Sequence, residues 1–183
     1  MSGAVFLEGD TVALVTLEEE DLEFVRDGVN HPEVRTPVGQ SFPTNLADER
    51  RYWEAANEDP EVVSVLARVG DERVGVVEFD PVDRETGVAE LGFWIHPDHQ
   101  RGGYARDAAA LMVDYAFAEL RIHKVTANAY DTNERSRALL EGLGFREEGV
   151  GREDAFFGGS YHDTHYYGLL ADEWDGHPPS ASA

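Results

Sequence analysis

Residues 90 to 120, ELGFWIHPDHQRGGYARDAAALMVDYAFAEL, constrain the fold more than any other part of the chain. Glu90 to Ile95 is short, apolar and aromatic, and a proline stands two residues beyond it, so it reads as a strand leaving its sheet at His96-Pro97. A loop with two adjacent glycines, Gly102 and Gly103, follows. It opens into a helix from about Gly103 to Leu120, with Ala105, Ala108, Met112, Ala116 and Leu120 on one side and Asp107, Asp114 and Arg121 on the other. A strand, a glycine turn and a helix start in that order aim main-chain N–H groups and the positive end of a helix dipole at one point, which suits a phosphate. A glycine pair before a helix is also an ordinary tight connection needing positive φ, so the loop by itself leaves both readings open.

The remaining elements are placed around this unit. Thr11 to Thr16 reads as an edge strand, and Thr16 as the N-cap of a helix reaching about Val29, with Leu22, Val25 and Val29 on one side. His31 to Pro43 holds three prolines and a glycine and reads as a loop able to close over something. Thr44 to Glu58 is a second helix with Leu46, Arg50, Trp53 and Ala56 or Asn57 at helical spacing, Trp53 being a core anchor. Val62 to Val69 and Arg73 to Phe79 form a hairpin around Gly70-Asp71-Glu72, and a turn at Asp80 to Glu85 leads to the strand Thr86 to Ile95. Lys124 to Tyr130, reached by a strand, helix, strand crossover, should lie parallel to the Glu90 strand. Asn133 caps a short helix to Gly142 with Gly144 at its end. A last hairpin pairs Arg146 to Phe157 with Tyr161 to Leu170, turning at Gly158-Gly159, and Gly149 to Gly151 reads as a bulge or turn. The expectation is one mixed α/β domain over residues 1–170, a mostly antiparallel sheet with one parallel pair and about four helices. A polar tail over 171–183 should be loosely ordered.

Charge narrows the partners. The 183 residues carry 37 Asp plus Glu against 15 Lys plus Arg, a formal net charge of -22, and Lys124 is the only lysine. Self-repulsion of that size opposes compaction, but at molar salt the Debye length falls to about 3 Å and the penalty largely disappears. The expectation is a cytoplasmic protein of a high-salt organism. A cationic substrate drawn to an acidic face is the competing explanation, and charge spread along the whole chain favours solvation. The same sign argues against a nucleic-acid partner. No apolar run approaches the roughly 18 residues of a membrane span, and the N-terminus lacks a basic segment followed by an apolar one. With no cysteine, a thiolate nucleophile and Cys-based zinc are excluded. The pairs His96 and His99, and His162 and His165, lack the arrangement of a metal site, so no metal is expected.

Gln100-Arg101-Gly102-Gly103-Tyr104-Ala105 fits a Gln-x-x-Gly-x-Ala pattern lodged between the aromatic strand and the long helix. Together with ELGFWIHP, NERSRALLEGLGF and GSYHDTHYYGLL in that order, it resembles the GNAT N-acetyltransferases, and within them the ribosomal-protein alanine branch of RimJ/RimL type, over about half the chain. The resemblance implies the GNAT fold, its sheet splayed at the parallel pair to admit acetyl-CoA. The diphosphate would rest on Gln100, Arg101, Gly102, Gly103, Tyr104 and Ala105, and the pantetheine arm on Trp94 and Ile95. Asn133 would bond the cofactor. An N–H at Ile95 could polarise the thioester carbonyl. Glu90 is the implied base for the acceptor amine, directly or through water, against the alternative of a surface strand carboxylate. The tyrosine many GNAT enzymes place seven residues after the helix-capping Asn is Leu140 here, and Ser136 stands where the RimJ/RimL branch has a serine serving the departing thiolate. Some relatives carry a glutamate base in the last hairpin; that position is Ala155. The region 31–43 lines the substrate side in the family, which makes Arg35 and Phe42 candidate substrate contacts.

The implied reaction is direct acetyl transfer to a primary amine, first a protein N-terminal α-amine, with a polyamine or aminoglycoside as the rival inside the same fold. A non-catalytic acyl-CoA binder is the rival outside it. Monomer and homodimer both stay open.

Overall fold

The computed structural model describes residues 3–177. Its strands are β1 (Val5–Glu8), β2 (Ala13–Thr16), β3 (Val63–Val69), β4 (Glu72–Asp83), β5 (Val88–Ile95), β6 (Lys124–Tyr130), β7 (Arg146–Phe157) and β8 (Ser160–Leu170). They form one sheet in the order β1-β2-β3-β4-β5-β6-β8-β7, antiparallel throughout except for β5 beside β6. The helices are α1 (Leu22–Asn30), α2 (Pro32–Arg35), α3 (Leu46–Glu58), α4 (Tyr104–Ala118) and α5 (Glu134–Gly142). This is the expected GNAT architecture.

Two apolar clusters hold the layers. One joins the helix α4 residues Ala108, Met112 and Ala116 to Phe79, Leu91, Val125 and Leu140; the other joins Val25 of α1 to Val15, Leu66 and Val76. The small residues of α4 let it lie close on the sheet. Gly28 does the same for α1, where an added Cβ would stand 2.3 Å from the Trp94 ring.

The parallel pair is short. Val88, Ala89 and Glu90 pair with Lys124, Val125 and Thr126, while β5 runs on to Ile95 and β6 to Tyr130. A twisted sheet whose two central strands stop pairing halfway opens a wedge between them.

Several expectations need correction. The edge strand is β1, unforeseen because its four residues are mostly exposed; β2 lies inside it. Thr16 is not an N-cap: its hydroxyl accepts from the Ala4 N–H at 2.9 Å and donates to Glu18 at 2.7 Å, and a 3-10 turn at Glu19–Asp21 leads into α1. Asn45 caps α3, accepting from Ala47 and Asp48 N–H. The inward row of that helix contains Glu49, not Arg50, which pairs outward with Glu19. The expected turn at 80–85 is a bulge inside β4, followed by a tighter turn before β5. Asp107 does not point to solvent. It is buried, and it accepts from Thr11 N–H at 2.6 Å, Thr11 Oγ1 at 2.8 Å and Val12 N–H at 2.9 Å, pinning the start of β2 to α4. The tail is anchored as far as His177, since Trp174 Nε1 donates to Asp114 at 2.6 Å and His177 Nε2 comes within 2.8 Å of Asp107. Residues 178–183 of that expectation lie outside the described residues.

Candidate active site

The wedge is the inner end of a cleft of about 1320 Å³. Glu90, Trp94, Ile95, Gln100, Arg101, Gly103, Tyr104, Ala105, Asn133 and Ser136 all line it, so one space gathers residues from three separate stretches of sequence. Arg35 and Phe42 do not line it. Arg35 is exposed and Phe42 is 81% exposed; from their segment Thr36, Val38 and Gln40 face the cleft instead. That segment is not all loop, because Pro32–Arg35 forms the single turn α2, and Asn30 ties its far end by accepting from Thr44 N–H at 3.0 Å.

Strand parity decides what β5 offers the wedge. The His96 N–H donates to the Val74 carbonyl, and the Gly87 carbonyl accepts from His123 N–H, so even-numbered residues turn their main chain to β4 and odd-numbered ones turn theirs toward β6. Beyond the last paired residue, Phe93 therefore presents N–H and C=O to the gap and Ile95 its N–H, while the Ile95 carbonyl accepts from Gln100. Trp94 presents neither. Its main chain faces Val76 of β4, and its ring stacks on Phe24 at 5.6 Å and 29°. The edge that sequence reasoning assigned to Trp94 and Ile95 consists of Phe93 and Ile95.

Past Ile95 the loop turns on two left-handed residues, Arg101 at φ 72° and Gly103 at φ 78°. For Arg101 this backbone costs about 1–2 kcal/mol, the sort of strain found where the main chain must present itself to a ligand. Among the described residues, nothing accepts from the N–H groups of Arg101, Gly102, Gly103, Tyr104 or Ala105. Five free amides at the start of a 15-residue helix make an anion cradle. Gly102 is needed for space, as a Cβ there would meet the Tyr104 ring at 2.6 Å, while Gly103 has nothing within 4 Å and is needed for its φ. Gln100 closes the mouth: its Nε2 donates to the Ile95 carbonyl at 3.2 Å and its Oε1 accepts from Arg135 of α5 at 2.9 Å.

Across the wedge, Asn133 caps α5 by accepting from the Ser136 N–H at 3.2 Å. Ser136 faces the cleft from the first turn. Leu140, one turn on, is 1% exposed and belongs to the core.

On the other side of β5, Asn128 Nδ2 donates to Glu90 Oε1 at 2.6 Å. The cleft continues there between the sheet and α3, lined by Glu49, Tyr52, Trp53, Glu78 and Asp80. Trp53 is thus a wall of the cleft, held by its Nε1 donating to the Leu17 carbonyl at 2.9 Å, and only partly a core anchor. Burial, reinforced by the Asp80 charge, pushes the Glu78 carboxyl up, although hydroxyls of Tyr52 and Ser64 bond to it. Burial and the Glu78 charge push Glu49 up, and burial with the same charge pushes the Tyr52 phenol up. Gly39, at φ 73°, brings the 31–43 segment against Tyr130 at the end of β6, where a Cβ would stand 2.5 Å from the phenol oxygen. Sequence reasoning missed Phe93, Asn128, Glu49 and Glu78. Only Glu78 carried a signal, as a lone carboxylate in the apolar run VGVVEF.

Among the described residues there is no grouping of three or more His, Asp or Glu able to hold a metal ion, and no helix long and apolar enough to cross a membrane.

Residues 11–146 match the family described as Acetyltransferase (GNAT) domain. The Bacillus subtilis (strain 168) protein named "Putative ribosomal N-acetyltransferase YdaF" is 37% identical over 102 residues, 56% of this chain and 56% of its own length, so that match spans little more than half of either protein. Spermidine N(1)-acetyltransferase of Vibrio cholerae is 27% identical over 165 residues, 89% of this chain and 95% of the relative. A crystal structure of spermidine N-acetyltransferase from Vibrio cholerae in complex with CoA and spermine has a TM-score of 0.85 at 24% identity, covering 89% of this chain and 97% of that one, and so shares the fold. Since the family match runs from the start of β2 to the start of β7 and takes in both the splayed strands and the glycine loop, the chain belongs to the GNAT acetyltransferases.

Proposed function

We propose that this chain is an N-acetyltransferase that moves the acetyl group of acetyl-CoA directly to a primary amine held beside Glu90. The observation that carries the reading is the end of β5–β6 pairing at Glu90 and Thr126, next to five unbonded amides at the head of α4. The amides of Arg101 to Ala105 suit a diphosphate, and the free edge at Phe93 and Ile95 suits an amide-bearing arm laid in like an extra strand.

Glu90 takes a proton from the arriving ammonium, directly or through a water, because only the neutral amine has a lone pair for attack. Ile95 N–H donates to the thioester oxygen as it gains negative charge. The amine nitrogen bonds to the carbonyl carbon and the carbon–sulfur bond breaks; the departing thiolate accepts a hydrogen bond from Ser136 Oγ–H and takes up the surplus proton of the attacking nitrogen, leaving as the thiol. Asn128 holds Glu90 over the wedge, and Asn133 holds the first turn of α5, from which Ser136 faces it.

Two acceptor classes have support. A protein N-terminal α-amine fits the name borne by the B. subtilis relative, and a small polyamine fits that of the V. cholerae relative. Thiol release followed with DTNB in high KCl, with acetyl-CoA and a panel of N-terminal peptides, polyamines and aminoglycosides, tests the reaction; the chain has no cysteine to add background. Turnover with at least one primary amine is expected. Tight CoA binding with no release for any amine would favour a second reading, a CoA-binding module without transfer, which draws on the burial of Leu140 in the core at the usual acid's position.

A further inference from the structure

We propose that Glu49 and Glu78 form a second ammonium site in the cleft, and that the acceptor is a di- or polyamine with one nitrogen at Glu90 and another between these two carboxylates. The inference rests on the acetyl-transfer reading above and adds the acceptor to it.

Glu49 is the key residue. It lies on the inward row of α3, only 7% exposed, and it lines the cleft. Among the described residues its carboxylate has neither a hydrogen-bond donor nor a cation. Buried carboxylates are almost always paired, because an isolated one loses its hydration with nothing in return. Arginines are within reach along the same helix but turn elsewhere: Arg50 pairs with Glu19 and Arg51 with Asp48. The charge closest in effect on Glu49 is that of Glu78, which has the same sign.

Glu78 faces the same space from β4. It accepts from the Tyr52 hydroxyl at 3.3 Å, and Asp80 adds a further negative charge two residues along the strand. None of Glu49, Glu78 and Asp80 is in an ion pair among the described residues. Most of the chain's surplus acid lies on the surface, where water solvates it; Glu49 is buried and Glu78 half-buried in a cleft wall.

The spacing suits a short aliphatic chain. Glu78 is opposite Gly92 in the β4–β5 register, and Glu90 is two residues from Gly92 on the same face. Glu78 and Glu90 are therefore diagonal neighbours, about 7–8 Å apart along the sheet. Between them Gly92 contributes no side chain, and a Cβ there would already be 3.5 Å from Glu78 Cγ. A chain of a few methylenes could lie over Gly92 with a nitrogen at each end.

The test compares 1,4-diaminobutane with n-butylamine, which share a four-carbon chain and differ in the second amine, with spermidine and an alanine-initiated peptide as further arms, by thiol release in molar KCl. The kcat/KM ratio of diamine to monoamine should be about tenfold or more, as expected for a charge-assisted hydrogen bond out of solvent. It should persist in salt, because buried pairs are screened less than exposed ones. Glu49→Gln, nearly isosteric, and separately Glu78→Gln should each collapse that ratio toward one, with thermal melts verifying the fold. A wild-type ratio near one, a ratio indifferent to both substitutions, or a clear preference for the peptide would overturn the proposal while leaving the transferase reading intact. Failure of every amine to release thiol would overturn both.

Discussion

Asn128 on β6 donates at 2.6 Å to Glu90, the last residue of β5 that pairs with β6. The bond holds one carboxylate oxygen across the opening wedge, and among the described residues the second oxygen accepts nothing. Glu90→Gln keeps the shape and removes the proposed base. It should lower kcat by about 10²–10⁴-fold, the usual share of a positioned base, while a calorimetric titration shows CoA affinity unchanged. An undiminished kcat at every pH would take Glu90 out of the mechanism.

Gly103 has room for a side chain but not the backbone for one. Gly103→Ala should cost about 1–2 kcal/mol of left-handed strain and weaken CoA binding by about tenfold. Gly103→Asn should be milder, because asparagine tolerates that conformation. If the two bind CoA alike, sterics rather than φ governs the position.

Asp107 and Glu49 should give pH effects of opposite sign. Burial alone would raise Asp107, but donors from Thr11, Val12 and Asp10 outweigh it and hold the carboxyl below its ordinary value of 3.8. A depressed folded pKa contributes stability that is present above the unfolded value and lost as pH falls through the folded one. Asp107→Asn should therefore lower Tm at neutral pH by about 5–10 °C, from about 2–3 kcal/mol of lost charge-assisted bonding, and flatten the acid limb of the Tm profile. Glu49 is raised above 4.5, so its contribution is full below that value and lost as pH rises through the folded pKa. Glu49→Gln should raise Tm of the ligand-free protein at neutral pH, the gain vanishing below pH 4.5. Melts across pH check both signs.

The net charge of -22 leads us to propose a high-salt working environment. Melts in low and in molar KCl should differ, with the higher Tm in molar salt, where the Debye length is about 3 Å. Equal stability in both would remove that proposal.

What was legible in the sequence and what was not follow from how far apart the deciding residues lie. β6, α5 and the β7–β8 hairpin carry their own periodicity and turn glycines, so their bounds are readable locally. The parallel pairing follows from the crossover rule, and the glycine loop from its own pattern. Asn128 escapes because its role exists only where β6 leaves β5, which no local pattern encodes. Trp94 and Phe93 exchange roles because strand parity, fixed by the β4 register, is invisible without the partner strand. On α3 an error of one position replaced the inward Glu49 with the outward Arg50: a carboxylate in a buried row breaks the apolar pattern that periodicity relies on. The inward turn of Asp107 is equally invisible locally, since its donors Thr11 and Val12 lie 96 and 95 residues away in sequence.

The central claim is that the amides after Gln100 and the free edge of β5 receive coenzyme A. Amide NMR of the ¹⁵N-labelled chain in molar KCl, titrated with CoA, tests it residue by residue. Saturable shifts at Gly102, Gly103 and Ala105, together with Phe93 and Ile95, are predicted, with Trp94 N–H, committed to β4, moving least. Shifts confined to residues outside the wedge, or none at all, would contradict the account.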